Sequence, residues 1–250
     1  MTFTCEDNVS WVETCTVPVT VTAEGQNQVI PGTAVDLAGN SASVSTTVSL
    51  DKTPPVLAMP ILNAAYTYNS VLSFNFSAAD TLSGLVSSSA TFNGVPVVSG
   101  NPVTLTKLGI NTFILEAADE ARNTVSRSAT FEVQYVFSGF LPPVVADGSQ
   151  VYKLGRTLPI KFQLQDANQA YISTAKATLA MQRFSNEVPV GDPVVVESTS
   201  GADAGNVFRY DFTDEQYIFN LNTNNLSPGT WQLKVRLDDG TTKTGFIKFK

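Results

Sequence analysis

Histidine is absent from all 250 residues, which removes Ser-His-Asp and Cys-His nucleophilic mechanisms. Cysteine occurs twice, at Cys5 and Cys15, too sparsely for a zinc site built from Cys and His. Charged residues make up 15%, well below the usual quarter of a soluble domain. No apolar run approaches the roughly 20 residues of a membrane-spanning helix, so membrane insertion is not expected. No Gly-rich loop leads from a strand into a helix to cradle phosphate. Basic residues are scarce where acids are not: residues 1–135 hold 4 Lys/Arg against 11 Asp/Glu, whereas residues 136–250 hold 11 of each. The net charge of −7 therefore lies in the first half, which disfavours nucleic acid and suits divalent cations. The 22 acids leave a glycosidase-type carboxylate pair open by counting, but the pattern offers no α/β or large barrel scaffold to hold one. The reading is non-enzymatic.

What the chain does have is Ser, Thr, Val, Asn and Gly, with 16 Gly and 13 Pro spaced as punctuation between short apolar runs. That composition reads as all-β, and the 43% hydrophobic share is enough to fill sandwich cores. Apolar residues recur with period two. Leu72, Phe74, Phe76 and Ala78 share a face, as do Phe113, Leu115 and Ala117, and Ala129, Phe131, Val133 and Tyr135. Further on, Leu158, Ile160, Phe162 and Leu164 alternate with polar residues, as do Phe208, Tyr210 and Phe212, and Trp231, Leu233, Val235 and Leu237. Asn93-Gly94 between two short runs predicts a two-residue hairpin.

An internal repeat sets the organisation. Ala34, Asp36, Ala38 and Asn40 match Ala117, Asp119, Ala121 and Asn123 at a shift of 83, while Phe3, Cys5 and Asp7 match Phe76, Ala78 and Asp80 at a shift of 73. Pro-rich linkers stand at Asp51-Lys-Thr-Pro-Pro55 and Leu141-Pro-Pro143. The expected division is into tandem Ig-like β-sandwiches at 1–53, 54–137 and 138–250, the second with about seven strands. The first is short, with room for about four or five strands and an unpaired sheet edge. Met1 leads straight into a strand pattern with no secretory leader, so the expectation is an introduced start within a longer protein.

Cys5 and Cys15 flank a polar reversal at Asp7, Asn8 and Ser10, and they read either as a cross-strand disulfide, implying an oxidising compartment, or as two buried thiols. The segments Thr2-Phe-Thr-Cys5, Cys15-Thr-Val-Pro-Val19, Glu24-Gly-Gln-Asn-Gln28, Asp36-Leu-Ala-Gly-Asn40 and Asp51-Lys-Thr-Pro-Pro55 resemble tandem bacterial Ig-like domains of surface and secreted proteins. In the second copy Ala78 replaces the first cysteine and Arg122 the turn glycine. Residues from about 142 onward resemble the PxKF domain, through Pro159-Ile-Lys-Phe162, Lys153-Leu-Gly-Arg156, Ser200-Gly-Ala-Asp-Ala-Gly-Asn206, Tyr217-Ile-Phe-Asn-Leu221 and Gly229-Thr-Trp231. That resemblance implies a C-terminal module of a secreted bacterial protein with no activity attached.

In an Ig-like sandwich the loop after the second strand and the loop before the last share one pole. That rule gathers Asp80 and Ser83 with Asp119, Glu120 and Asn123, facing linker residue Asp51. Such an oxygen set suits calcium, and Asp7, Asp36 and Asn40 are the corresponding set facing a preceding module. The other reading is that these side chains cap their own turns. Tyr171, outside the strong alternations, is the candidate for a glycan contact. Expected partners are neighbouring domains of a parent protein, other copies of the chain, or surface glycans. Three functions stand: an extracellular spacer (stalk, adhesin or filament component), a carbohydrate-binding accessory module of a secreted hydrolase, or a strand-exchanging assembly subunit.

Overall fold

The computed structural model describes residues 1–202 and 205–250. Asp203 and Ala204, inside the Ser200-to-Asn206 motif, lie outside the described residues. Among the described residues all regular structure is β, and the chain is a tandem of Ig-like β-sandwiches. The strands begin with β1 (Val12–Cys15), β2 (Gly25–Asp36), β3 (Ser41–Leu50), β4 (Val56–Ala58), β5 (Ala65–Thr67), β6 (Val71–Ser73) and β7 (Ser77–Ala79). There follow β8 (Leu85–Phe92), β9 (Val95–Pro96), β10 (Pro102–Thr104), β11 (Gly109–Asp119), β12 (Thr124–Gln134), β13 (Val136–Leu141) and β14 (Asp147–Tyr152). The last are β15 (Thr157–Gln165), β16 (Ala177–Ser185), β17 (Val188–Val195), β18 (Arg209–Asp211), β19 (Gln216–Asn222), β20 (Gly229–Leu237) and β21 (Thr242–Phe249).

Two compact units result. One comprises Met1–Ile61, Phe74–Asn101 and Phe113–Ala129; the other comprises Leu62–Ser73, Pro102–Thr112 and Thr130–Lys250.

In the first unit β1, β2 and β3 form an antiparallel sheet in that order. Where four or five strands were expected before residue 51, there are three. Residues 16–24 run beside the N-terminus with isolated bonds, such as Val19 N to Met1 O at 2.9 Å, and Pro18 has no N–H to extend a ladder there. Phe3 lies on the sheet over Gly32, where a Cβ would stand 2.6 Å from its ring, so only glycine admits this contact. Further along, β4 pairs with β7, and β8 pairs with Phe113–Asp119 of β11. Asn93 (φ +50°) and Gly94 (φ +81°) make the expected hairpin turn between β8 and β9. Phe74, buried completely, stacks on Phe113 at 5.0 Å and meets Phe92 at 5.1 Å.

In the second unit β5 pairs in parallel with Glu132–Gln134 of β12, and β6 pairs with β10. The C-terminal sandwich is made of a four-stranded sheet, β13-β15-β19-β18, and a five-stranded sheet, β14-β21-β20-β16-β17. Pro142 and Pro143 fall between β13 and β14, after β13 has already paired with β15. Leu158, Ile160, Phe162 and Leu164 are buried, as are Trp231, Leu233, Val235 and Leu237, each stabilising the fold by roughly 1.5–3 kcal/mol. Tyr217 stacks on Phe162 at 5.1 Å, and its hydroxyl donates to Ile172 O and accepts from Ala175 N. Phe212 departs from the expected alternation. It is 78% exposed, because β18 ends at Asp211 and the chain turns through Glu215 at φ +51°. Tyr68 and Leu108 pack on the same core, and Tyr135 N donates to buried Asp239 at 3.0 Å.

Candidate metal centre

Two aspartates in each repeat organise its turns, and the repeats share most of their bonds, with Ser10 Oγ bonded to Asp36 in the first and its counterpart Ser83 Oγ unbonded in the second. At the hairpin turn, Asp36 N donates to Asn40 O and Gly39 N returns to Asp36 O. Asp119 N likewise donates to Asn123 O, and Arg122 N returns to Asp119 O. In both copies the side-chain amide four residues on donates to the aspartate Oδ2 at 2.8 Å. This is a type I turn closed by a left-handed residue. In the upstream loop Asp7 Oδ1 accepts from Val9, Ser10 and Trp11 amides, and Asp80 Oδ1 accepts from Leu82, Ser83 and Gly84 amides. The same turn recurs a third time at Asp166, whose Oδ1 accepts from Asn168 and Ala170 and whose Oδ2 accepts from Asn69 at 2.9 Å. That third copy escaped sequence reading, because Asp166-Ala-Asn-Gln-Ala170 keeps the aspartate and loses the Asn partner to a distant residue.

The linker completes the cluster. Asp51 Oδ2 accepts from Ser83 N at 3.0 Å and Oδ1 accepts from Thr53 N at 2.9 Å, while Asn123 Nδ2 approaches Asp51 O at 3.4 Å. On the other side Lys52 Nζ donates to Thr22 O at 2.7 Å and Thr53 Oγ1 donates to the Glu24 carboxylate at 2.9 Å. One carboxylate oxygen each from Asp51, Asp80 and Asp119 lies within 4.8 Å of the others. Two oxygens bound to one calcium ion at about 2.4 Å each stand no more than about 4.8 Å apart, a bound that these three meet. The hydrogen bonds these carboxylates accept come from backbone amides and the Asn123 side chain. No cationic donor is among them, and three like charges at this distance repel.

Ser83 adds an orphan. Its Oγ is buried and makes no hydrogen bond, although its side chain stands near enough to Asp51 to be the main cause of a lowered pKa there. A buried hydroxyl oxygen beside three carboxylates is a ligand that a hard cation could take up. Glu120, also expected at this pole, lines a cleft of about 200 Å³ with Asp51 and Ser83.

Asp7, Asp36 and Asn40 also come together, joined by Ser10 Oγ donating to Asp36 Oδ2 at 2.8 Å. The side chains of Asn40 first and Ser10 second hold Asp36 down at a pKa of about 2, against the opposing effect of burial. Among the described residues the three-carboxylate grouping occurs at Asp51, Asp80 and Asp119, and not here. Cys5 and Cys15 form a disulfide with Cα atoms 5.9 Å apart, within the usual span of such bridges. Tyr171 pairs with Gln165 in an isolated bridge and is 39% exposed. Phe208, Tyr217 and Trp231, by contrast, are core residues.

No family model matches the chain, and no curated protein does. Among solved structures, the immunoglobulin domains 1–5 of Sidekick-1 align at 11% identity over 90% of this chain and 45% of that one, with a TM-score of 0.30. The chain thus spans less than half of that segment. Extracellular domains 3–5 of Drosophila OTK align at 10% identity over 88% of this chain and 68% of theirs, with a TM-score of 0.34. A β-glucuronidase from Parabacteroides merdae aligns at 13% identity over 80% of this chain and 25% of its own, with a TM-score of 0.26. Likenesses this distant lend the chain no function.

Proposed function

We propose that this chain is a non-catalytic spacer of a larger extracellular protein, in which calcium fixes the linker between the first two modules. Its three modules are 1–53, 54–137 and 138–250, the last of PxKF type. The observation that carries the reading is the convergence of Asp51, Asp80 and Asp119 from linker, loop and hairpin turn. Asn123 orients the set through its bonds to Asp119 and Asp51, and Ser83 Oγ supplies a further oxygen. Binding would offset the mutual repulsion of the carboxylates and tie the linker to the second repeat. Asp7, Asp36 and Asn40 form a half-site of the same design, which a linker carboxylate from a preceding module would complete. The Cys5–Cys15 bridge supports an oxidising compartment.

Calorimetric titration with calcium, paired with thermal melting, tests this. One saturable site is expected, with stabilisation of about 2.7 kcal/mol at a calcium concentration 100 times the Kd. Asp119→Asn and Asp80→Ala should each abolish the heat signal. Identical melting in excess calcium and in excess chelator would sink the idea.

A further inference from the structure

The outward face of the five-stranded sheet in the C-terminal sandwich carries two aromatic residues that break its alternation. In β16 the buried apolar residues are Ala177, Leu179 and Met181, with Gln182 the one buried residue on the other face, and in β21 the buried residues are Gly245, Ile247 and Phe249. Phe184 and Phe246 are out of phase with both sets. Phe184 pairs with Thr230, which pairs with Lys248; Phe246 pairs with Gln232 on one side and with Asp147 on the other. The two rings therefore meet above β20, edge to face, with centroids 5.1 Å apart. Both remain partly exposed, so the sheet places apolar ring surface in water where its own core has no use for it.

These rings floor a cleft of about 420 Å³, within the size range of small-molecule sites. Asp147 and Glu187 supply acceptors at its rim, Lys248 a donor, and Asn186 and Thr230 groups that do both. Hydrogen bonds from Ser149, and then the nearby Lys248 ammonium, keep Asp147 below the usual carboxylate range, so it accepts and does not donate at neutral pH. Two carboxylates against one ammonium leave the cleft anionic, which repels phosphate, sulfate and acidic sugars.

We propose that this cleft binds a neutral saccharide. A pyranose ring has an apolar C–H face, which suits the Phe184–Phe246 floor. Its equatorial hydroxyls both donate and accept, which suits a rim of carboxylates, amide, ammonium and hydroxyl. The site is separate from the carboxylate cluster at Asp51 and does not rest on calcium. It also lies on residues other than Tyr171, which does not line the cleft.

The test is amide-resolved NMR of the full chain titrated with glucose, cellobiose, lactose and diacetylchitobiose, and with galacturonic acid as the charged comparison. At least one neutral sugar should shift Gly148, Asn186, Phe246 and Lys248 together and saturate in the millimolar range. Phe246→Ala should weaken binding at least tenfold. Glu187→Gln, an exposed change that leaves packing alone, should weaken it several-fold. Binding should persist in excess chelator and in Asp119→Asn. The proposal is overturned by an absence of saturable shifts with every neutral sugar, by tighter binding of galacturonic acid, by dependence on calcium, or by unchanged affinity in both variants.

Discussion

Gly39 and Arg122 hold the same left-handed conformation, φ +83° and +71°, at one position of a turn that the chain builds twice. Only the glycine is at ease there. An L-residue in this region carries roughly 1–2 kcal/mol of steric strain, partly offset because glycine loses more entropy on folding. Arg122→Gly should therefore stabilise the chain by about 1 kcal/mol, read as a higher urea midpoint at unchanged slope. A lower midpoint would mean that the arginine side chain contributes more than its backbone costs.

Asp36 gives a pH dependence with a definite sign. Its folded-state pKa is about 2, below an unfolded value near 3.9, so the folded state favours the ionised form. The stability this contributes is fully present above about pH 4 and is lost as pH falls toward 2. Asn40→Ala removes the main cause and should raise the Asp36 pKa toward its ordinary value. Carboxyl-resolved NMR titration would register that shift; no movement would assign the depression to Ser10 and the backbone amides instead.

The Cys5–Cys15 bridge closes a loop with a sequence separation of 10, for which chain entropy predicts about 3 kcal/mol. Replacing both cysteines with serine should destabilise the first sheet by up to that amount and leave the C-terminal sandwich intact. Hydrogen exchange resolves the two regions: amides of β2 and β3 should lose protection, and those of β15 and β20 should keep it. Equal loss in both would contradict a local role.

Much of this architecture is legible in the sequence because burial imposes period two. Leu158 to Leu164 and Trp231 to Leu237 read cleanly, and Asn93-Gly94 announces its turn. The aspartate turns are legible as a repeat, since backbone amides demand an acceptor at the same place in each copy. Legibility fails where context replaces pattern. Phe212 continues an alternation whose strand has already ended. Asp166 takes its amide partner from Asn69, 97 residues earlier, which no local motif can reveal. Phe184 and Phe246 belong to strands whose pattern points them outward, and only the register across β20 brings them together. The readable signal there was an aromatic out of phase with its neighbours.

Among the described residues two of the ladders are parallel: β5 with β12, and β14 with β21. In a parallel pair, pulling the leading end of one strand against the trailing end of the other draws the two past each other lengthwise. Every rung then carries load at once, where a hairpin such as β2–β3 would part rung by rung. Under the spacer role proposed above, these parallel ladders should raise the force needed to extend the chain, which single-molecule pulling would measure.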